Sequence, residues 1–351
     1  MPGAYCSSRN SNIEAGVINR QLLPGKIVRI VSVRKTVIFS TPCRCLRAAS
    51  GDRGRMPVPC FLLRNGNGVR MMKMRLSVLC ENTVGSPMPF IGEHGLSLLI
   101  ENETTTLYDT GQGFGLINNM KVLGKNPDMI DRIIISHGHY DHTGGLMQML
   151  KARGTGMEVY CHPDAFIQKI AYYQMPGNNL EVSIGFQSSR QEYENAGAHF
   201  NWISGYGGLS DTLAFISDVA RPEGWKTWDV RLKRKIDGII EDDPFNDDLS
   251  LLVETESGPV VLLGCAHAGI VEILEDISAK SGHTSFHAVI GGTHLESASA
   301  EYFERTVEVI ERFNVAIIGT SHCTGFKRSS ALASHFKDRF TQVAVGTVME
   351  F

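Results

Sequence analysis

Long apolar runs are missing from this 351-residue chain, and no stretch approaches the roughly 18 uninterrupted apolar residues of a membrane-spanning helix, so no transmembrane segment is expected. Paired C-x-x-C spacing is missing as well. The eight cysteines are scattered, which reads as mostly reduced thiols of an intracellular, cytoplasmic protein. No nucleophile elbow, P-loop or dinucleotide fingerprint occurs, so none of those chemistries competes for the functional assignment. Acid is nearly absent from residues 1–70, which hold 2 Asp+Glu against 12 Lys+Arg. Because the whole chain has a formal charge of −3, the 281 residues that follow carry −13. An acidic body of that kind argues against nucleic acid as a partner.

With 42% apolar content the chain can bury a substantial core, in one large domain or two. Residues 1–70 are expected to stand apart as an N-terminal extension. Their Arg-rich, acid-poor, Ser/Gly/Pro-dotted composition partly resembles an organellar transit peptide, which would matter if the source is eukaryotic. The favoured reading is blander: translation beginning at Met71, Met72 or Met74, with Arg75–Leu79 as the first convincing strand. Ile27 to Phe39 alternates apolar and basic residues and could form a strand, but carries no chemistry.

What the chain does have is Ser136-His137-Gly138-His139-Tyr140-Asp141-His142-Thr143-Gly144-Gly145, three imidazoles and a carboxylate within six residues, directly after the apolar run Ile133–Ile135. A strand that stops into a loop of nitrogen and carboxylate donors makes a pocket for a divalent transition metal, whereas a thiolate-rich set would point to a closed structural zinc. The same unit recurs downstream. Pro259–Leu263 reads as a buried strand with His267 past its end, Ala288–Ile290 is followed by His294, and Val315–Ile318 by His322. Between them Ile270, Ile273, Leu274 and Ile277 fall at helical spacing before a stop at Gly282, and Phe303, Val307, Ile310 and Phe313 mark a second helix. Parallel or mixed sheets gather such strand-end loops at one rim. Earlier strands are expected at 75–79, 96–100, 105–108 and 158–161, with a helix at 144–153. From about 163 to 248 the periodicity weakens, and this segment is expected to be an insertion forming a lid or substrate wall.

The stretch Asp131 to Leu146 resembles the signature of the metallo-β-lactamase fold superfamily, and Leu107-Tyr108-Asp109-Thr110-Gly111 resembles its first motif. Gly264-Cys265-Ala266-His267-Ala268-Gly269, Gly291-Gly292-Thr293-His294-Leu295 and His322-Cys323-Thr324-Gly325 resemble a subgroup of metal-dependent hydrolases or dihydropterin–ribofuranosylaminobenzene phosphate synthases. The resemblance implies a four-layer αββα sandwich over residues 71–351. It implies that His137 and His139 bind one metal, that Asp141 and His142 bind a second, and that Asp109 orients the metal loop. His267 is the choice for the third nitrogen of the first position and His322 for the second. One or two divalent ions are expected, zinc first, with iron or manganese as alternatives. The chain departs from the superfamily where a histidine and a bridging aspartate are usual: Asp247 or Asp248 and Cys265 stand there, and Cys265 is read as a buried structural cysteine in preference to a ligand.

Asp141 is the expected catalytic residue, ligating while it orients water. His294, His94, Arg221 (with Trp225 and Trp228) and Lys327 are candidate substrate contacts, while His162, His199, His283, His287 and His335 are read as structural or solvated. The expected activity is hydrolysis of a small anionic ester, lactone or phosphoester. The resemblance adds an alternative, transfer of a dihydropterin methyl group to an aminobenzene ribofuranosyl phosphate, and a non-catalytic metal-binding domain is the third. Oligomeric state is left open.

Overall fold

The structure, a computed structural model, describes residues 72–351; the readings made for residues 1–70 lie outside the described residues. Eighteen short strands carry the fold among them. The first ten are β1 (Arg75–Cys80), β2 (Ser97–Glu101), β3 (Thr105–Tyr108), β4 (Arg132–Ile134), β5 (Met157–Cys161), β6 (Gln168–Met175), β7 (Asn178–Ser183), β8 (Ala198–Trp202), β9 (Tyr206–Gly208) and β10 (Leu213–Ile216). The rest are β11 (Leu232–Ile236), β12 (Ile239–Asp242), β13 (Ser250–Thr255), β14 (Gly258–Leu263), β15 (Ala288–Gly292), β16 (Ile317–Ser321), β17 (Phe340–Gln342) and β18 (Val348–Glu350). Seven helices accompany them: α1 (Leu116–Val122), α2 (Tyr140–Thr143), α3 (Leu146–Arg153), α4 (Arg190–Asn195), α5 (Ile270–Ser281), α6 (Ala300–Arg312) and α7 (Phe326–Phe336).

Two seven-stranded sheets run in the orders β18-β1-β2-β3-β4-β5-β8 and β17-β16-β15-β14-β13-β10-β9. Each begins as antiparallel hairpins and turns parallel, from β3 to β8 in one and from β14 to β17 in the other. Alternation along the strands decides the layers, since successive side chains point to opposite faces. Leu76, Val78, Leu98, Ile100, Leu251, Val253, Val260 and Leu262 meet between the sheets. Their neighbours Leu79, Leu99, Leu107, Ile133 and Val159 face outward under α1 and α3. On the far side Leu252, Val261, Leu263 and Val289 pack against the apolar stripes of α5, α6 and α7. The result is an αββα sandwich with three buried clusters, in which each fully buried Leu or Val contributes about 1.5–3 kcal/mol.

Several boundaries differ from expectation. The helix expected at 144–153 is α3, which begins at Leu146; α2 is a separate turn before it, and Gly144 and Gly145 between them let the chain pass where a Cβ would stand 2.7 and 2.3 Å from the Gln112 and Thr110 carbonyl oxygens. The strand expected at 315–318 begins at Ile317, since the Val315 N–H still closes the end of α6 on the Ile310 carbonyl. The segment 163–248 is not one insertion. β8 completes the first sheet and β9 and β10 extend the second, leaving a separate four-stranded sheet, β12-β11-β6-β7, as the added part. Its pattern was weak because β12 is wholly exposed and the Lys/Arg-rich β11 buries only Leu232. Among the described residues no helix is long and apolar enough to cross a membrane.

Candidate metal centre

Every segment that resembled a ligand loop leaves the C-terminal end of a strand: Asp109 follows β3, His137 β4, Cys265 and His267 β14, His294 β15 and His322 β16. The Asp109 backbone is in the left-handed region at φ +62°, which turns its carboxylate back onto the loop after β4. There Oδ1 accepts the Ser136 N–H at 2.7 Å and Oδ2 accepts the Ser136 hydroxyl at 2.6 Å. Oδ2 also lies 2.7 Å from His142 Nδ1, which turns the opposite ring nitrogen into the site. Two glycines permit the close approaches that this requires. A Cβ at Gly95, where φ is +140°, would come within 2.3 Å of the Asp141 carbonyl oxygen, and one at Gly264 within 2.3 Å of Ser136 Oγ.

The donors overlap, and two adjoining sets stand out, with Cys265, Cys323 and His94 also within reach of them. His137, His139 and His267 offer ring nitrogens that all lie within 4.8 Å of one another, and His137 Nε2 is 3.0 Å from His139 Nδ1. In the second group Asp141 Oδ2 is 3.2 Å from His322 Nε2 and 3.9 Å from His142 Nε2, and those two nitrogens are 3.3 Å apart. Cys265 stands inside this arrangement, its Sγ 3.1 Å from His142 Nε2, and it also groups with His137. The structure therefore puts this cysteine, read from the sequence as buried and structural in preference to a ligand, in a buried position at the donor cluster itself. His322 is oriented by Asn82 Oδ1, 3.0 Å from its Nδ1, and by Glu81, which accepts its backbone N–H at 2.6 Å.

These residues fit a divalent ion. Burial lowers the basicity of all three nitrogens of the first group, His139 to about 3, so the imidazoles are neutral and present lone pairs. His139 Nε2 and both ring nitrogens of His267 are buried with no hydrogen-bond partner in the protein, an arrangement that is costly unless something else engages them. Four tetrahedral ligands at about 2.0–2.3 Å from an ion stand about 3.3–3.7 Å apart, close to the spacing of the second group. Mixed imidazole, carboxylate and thiol donors suit zinc and its neighbours and do not suit magnesium or calcium.

Of the candidate substrate contacts, two reach the same cavity of about 560 Å³ and two do not. His94 Nε2 is 3.2 Å from Asp141 Oδ2, and the His294 ring lies 4.3 Å from that of His267 with Asp229 3.6 Å from its Nε2. Arg221 is a correction. It lies over Trp225 and gives its guanidinium to the Pro244 and Phe245 carbonyls, lining a different hollow. Lys327 is another: it is exposed on the first turn of α7 and lines no part of the cavity. The cation that does line it is Arg231, paired with Asp229 at 2.6 and 2.8 Å, which sequence reasoning missed.

Asp247 and Asp248, which stand where a histidine is usual, serve the backbone of the ligand loops. Asp247 Oδ2 accepts the Gly138 N–H at 3.0 Å and Asp248 Oδ2 the Ala268 N–H at 2.7 Å. Burial pushes the Asp248 carboxyl up to about 7. Beneath Asp247 is an ion triad that was also missed: Lys169 Nζ, 1% exposed as a residue, donates to Asp243 and Asp247 at 2.8 Å each. Glu81 and Asn82 carried the only available signal, a polar pair immediately past a strand end, as Asp109 does.

The sequence pattern of the metallo-β-lactamase superfamily matches residues 91–294, and the chain belongs to that superfamily. It is an enzyme of the hydrolase or related transferase kind. It is 31% identical over 289 residues to the 7,8-dihydropterin-6-methyl-4-(β-D-ribofuranosyl)-aminobenzene-5'-phosphate synthase of Methanocaldococcus jannaschii, a match covering 79% of this chain and 97% of the relative. An uncharacterized protein of the same organism is 29% identical over 74% of this chain and 93% of its own length. Among solved structures, Tm1679, a metal-dependent hydrolase of the β-lactamase superfamily, is similar with a TM-score of 0.68 and 27% identity, covering 79% of this chain and 99% of that one.

Proposed function

We propose that the chain is a metal-dependent hydrolase of small anionic esters, lactones or phosphoesters, with His137, His139 and His267 holding one ion and Asp141, His142 and His322 the other. The observation that carries this reading is the pair of adjoining donor sets opening onto one cavity. A divalent ion held there supplies an activated water at neutral pH and a Lewis acid for a substrate oxygen. Asp141 is placed to accept a hydrogen bond from the attacking water and orient it, since its carboxylate points between His94 and His322. Arg231, held by Asp229, and His294 are the polar groups beside the metal positions that a substrate's polar end would meet, and Tyr140, Tyr173 and Leu232 give it an apolar wall. Asp109 fixes the His142 ring and does not touch substrate. Zinc is the ion that this donor set favours.

The synthase relative, similar over nearly its whole length, supports a second reading in which the same centre transfers a dihydropterin methyl group to an aminobenzene ribofuranosyl phosphate, from a donor whose methyl carbon carries a leaving group that departs with its bonding electrons as the new bond forms. Turnover of zinc-loaded protein on a lactone and phosphodiester panel, beside an assay with a dihydropterin donor and an aminobenzene ribofuranosyl phosphate acceptor, separates them. Hydrolysis abolished by chelation and restored by zinc is the expected result. Zinc-dependent group transfer without hydrolysis would replace the first reading with the second.

A further inference from the structure

His267 is held differently from His137, His142 and His322. His137, His142 and His322 each have a polar group within 3.0 Å of Nδ1, from Ser136, Asp109 and Asn82 respectively, the usual way in which a ligating imidazole is oriented. Neither nitrogen of His267 has any partner in the protein. Its ring is instead stacked on Phe245, with centroids 4.3 Å apart and planes 8° from parallel. The same phenyl ring meets His139 edge-on at 5.9 Å and 89°. Phe245 is fully buried and adopts φ +51°, a conformation that a bulky L residue takes only when its surroundings impose it.

The surroundings do impose it. The Phe245 N–H donates to Asp243 Oδ1 at 2.8 Å, and its carbonyl accepts from Arg221 Nη2 at 3.1 Å and from the Asp248 N–H at 3.2 Å. Lys169, from β6 of the added sheet, ties Asp243 to Asp247 and sets its ammonium 5.6 Å from the centre of the phenyl ring. Two cations and two carboxylates thus clamp a strained turn whose one outward product is a flat ring against His267.

We propose that Phe245 is a positioning residue for the first metal position, its ring taking over at His267 the orienting work that a hydrogen-bond partner does at His137, His142 and His322. The proposal rests on the metal-centre reading above, and it makes the added sheet part of the centre through Lys169.

Zinc affinity measured by competition with a chromophoric chelator tests it on Phe245→Leu, which keeps the apolar bulk without the flat face, and on Phe245→Tyr, which keeps the face. The reference is the zinc equivalent that His267→Ala loses. Phe245→Leu should weaken that same equivalent about 10- to 100-fold, the range typical of groups that orient ligands, and leave any other unchanged. Phe245→Tyr should match wild type, and the visible bands of the cobalt-loaded protein should change in the Leu variant alone. Equal weakening in Leu and Tyr, or no weakening in Leu, overturns the proposal. Should Phe245→Leu fail to fold, Phe245→Met takes its place with the same criterion. Wild-type protein that binds no zinc would remove the metal-centre reading, and this inference with it; zinc-binding wild type with an unaffected Leu variant would remove this inference alone.

Discussion

His139→Ala is expected to lose one metal equivalent and at least about 10³-fold in turnover, because a bound ion contributes several kcal/mol of transition-state stabilisation and each factor of ten corresponds to about 1.4 kcal/mol. The ring is buried and neutral, its Nε2 has no partner in the protein, and it meets His137 and Phe245 at the same centre. Asp141→Asn should behave differently: the equivalent held by the three-histidine group stays, and turnover still collapses, since a neutral amide neither balances the ion's charge nor accepts a water proton as strongly. Metal analysis beside turnover on both variants makes the comparison. Full metal content in His139→Ala would remove that residue from the centre.

The second large effect is on stability. Lys169→Met should destabilise the fold by about 3–5 kcal/mol, because it strands Asp243 and Asp247 as buried, uncompensated carboxylates. Unfolding by urea measures it. Combining Lys169→Met with Asp243→Asn and Asp247→Asn should recover most of the loss, since the penalty arises from the charges and not from the lysine's apolar stem. A single-variant effect within about 0.5 kcal/mol of wild type would show that the triad is not a structural support.

Why some of this was legible in the sequence and some not follows from range. The loop 136–145 concentrates its donors within a few residues, and the repeated unit of a short continuous apolar run followed by a histidine places His267, His294 and His322 at strand ends. Local periodicity likewise marks α5, with Gly282 at φ +82° ending it as expected. By contrast, Lys169 with Asp247 and Phe245 with His267 are pairs formed across 78 and 22 residues by strained or irregular backbone, and nothing in their immediate neighbourhood distinguishes a clamped turn from a solvated one. Arg221 illustrates the reverse error: a cation beside tryptophans reads as a substrate contact until the Pro244 and Phe245 carbonyls are seen to occupy it. The added sheet is hard to read for a related reason, as β12 is wholly exposed and β11 buries only Leu232, so neither has the apolar run that marks a buried strand.

The most direct measurement of the central claim is a crystal structure of zinc-loaded protein with anomalous scattering recorded at the zinc edge. One peak is expected about 2.0–2.1 Å from ring nitrogens of His137, His139 and His267, and, at full loading, a second bounded by Asp141, His142 and His322. Anomalous density confined to other residues, or absent from the strand-end rim in protein that hydrolyses its substrate, would contradict the account.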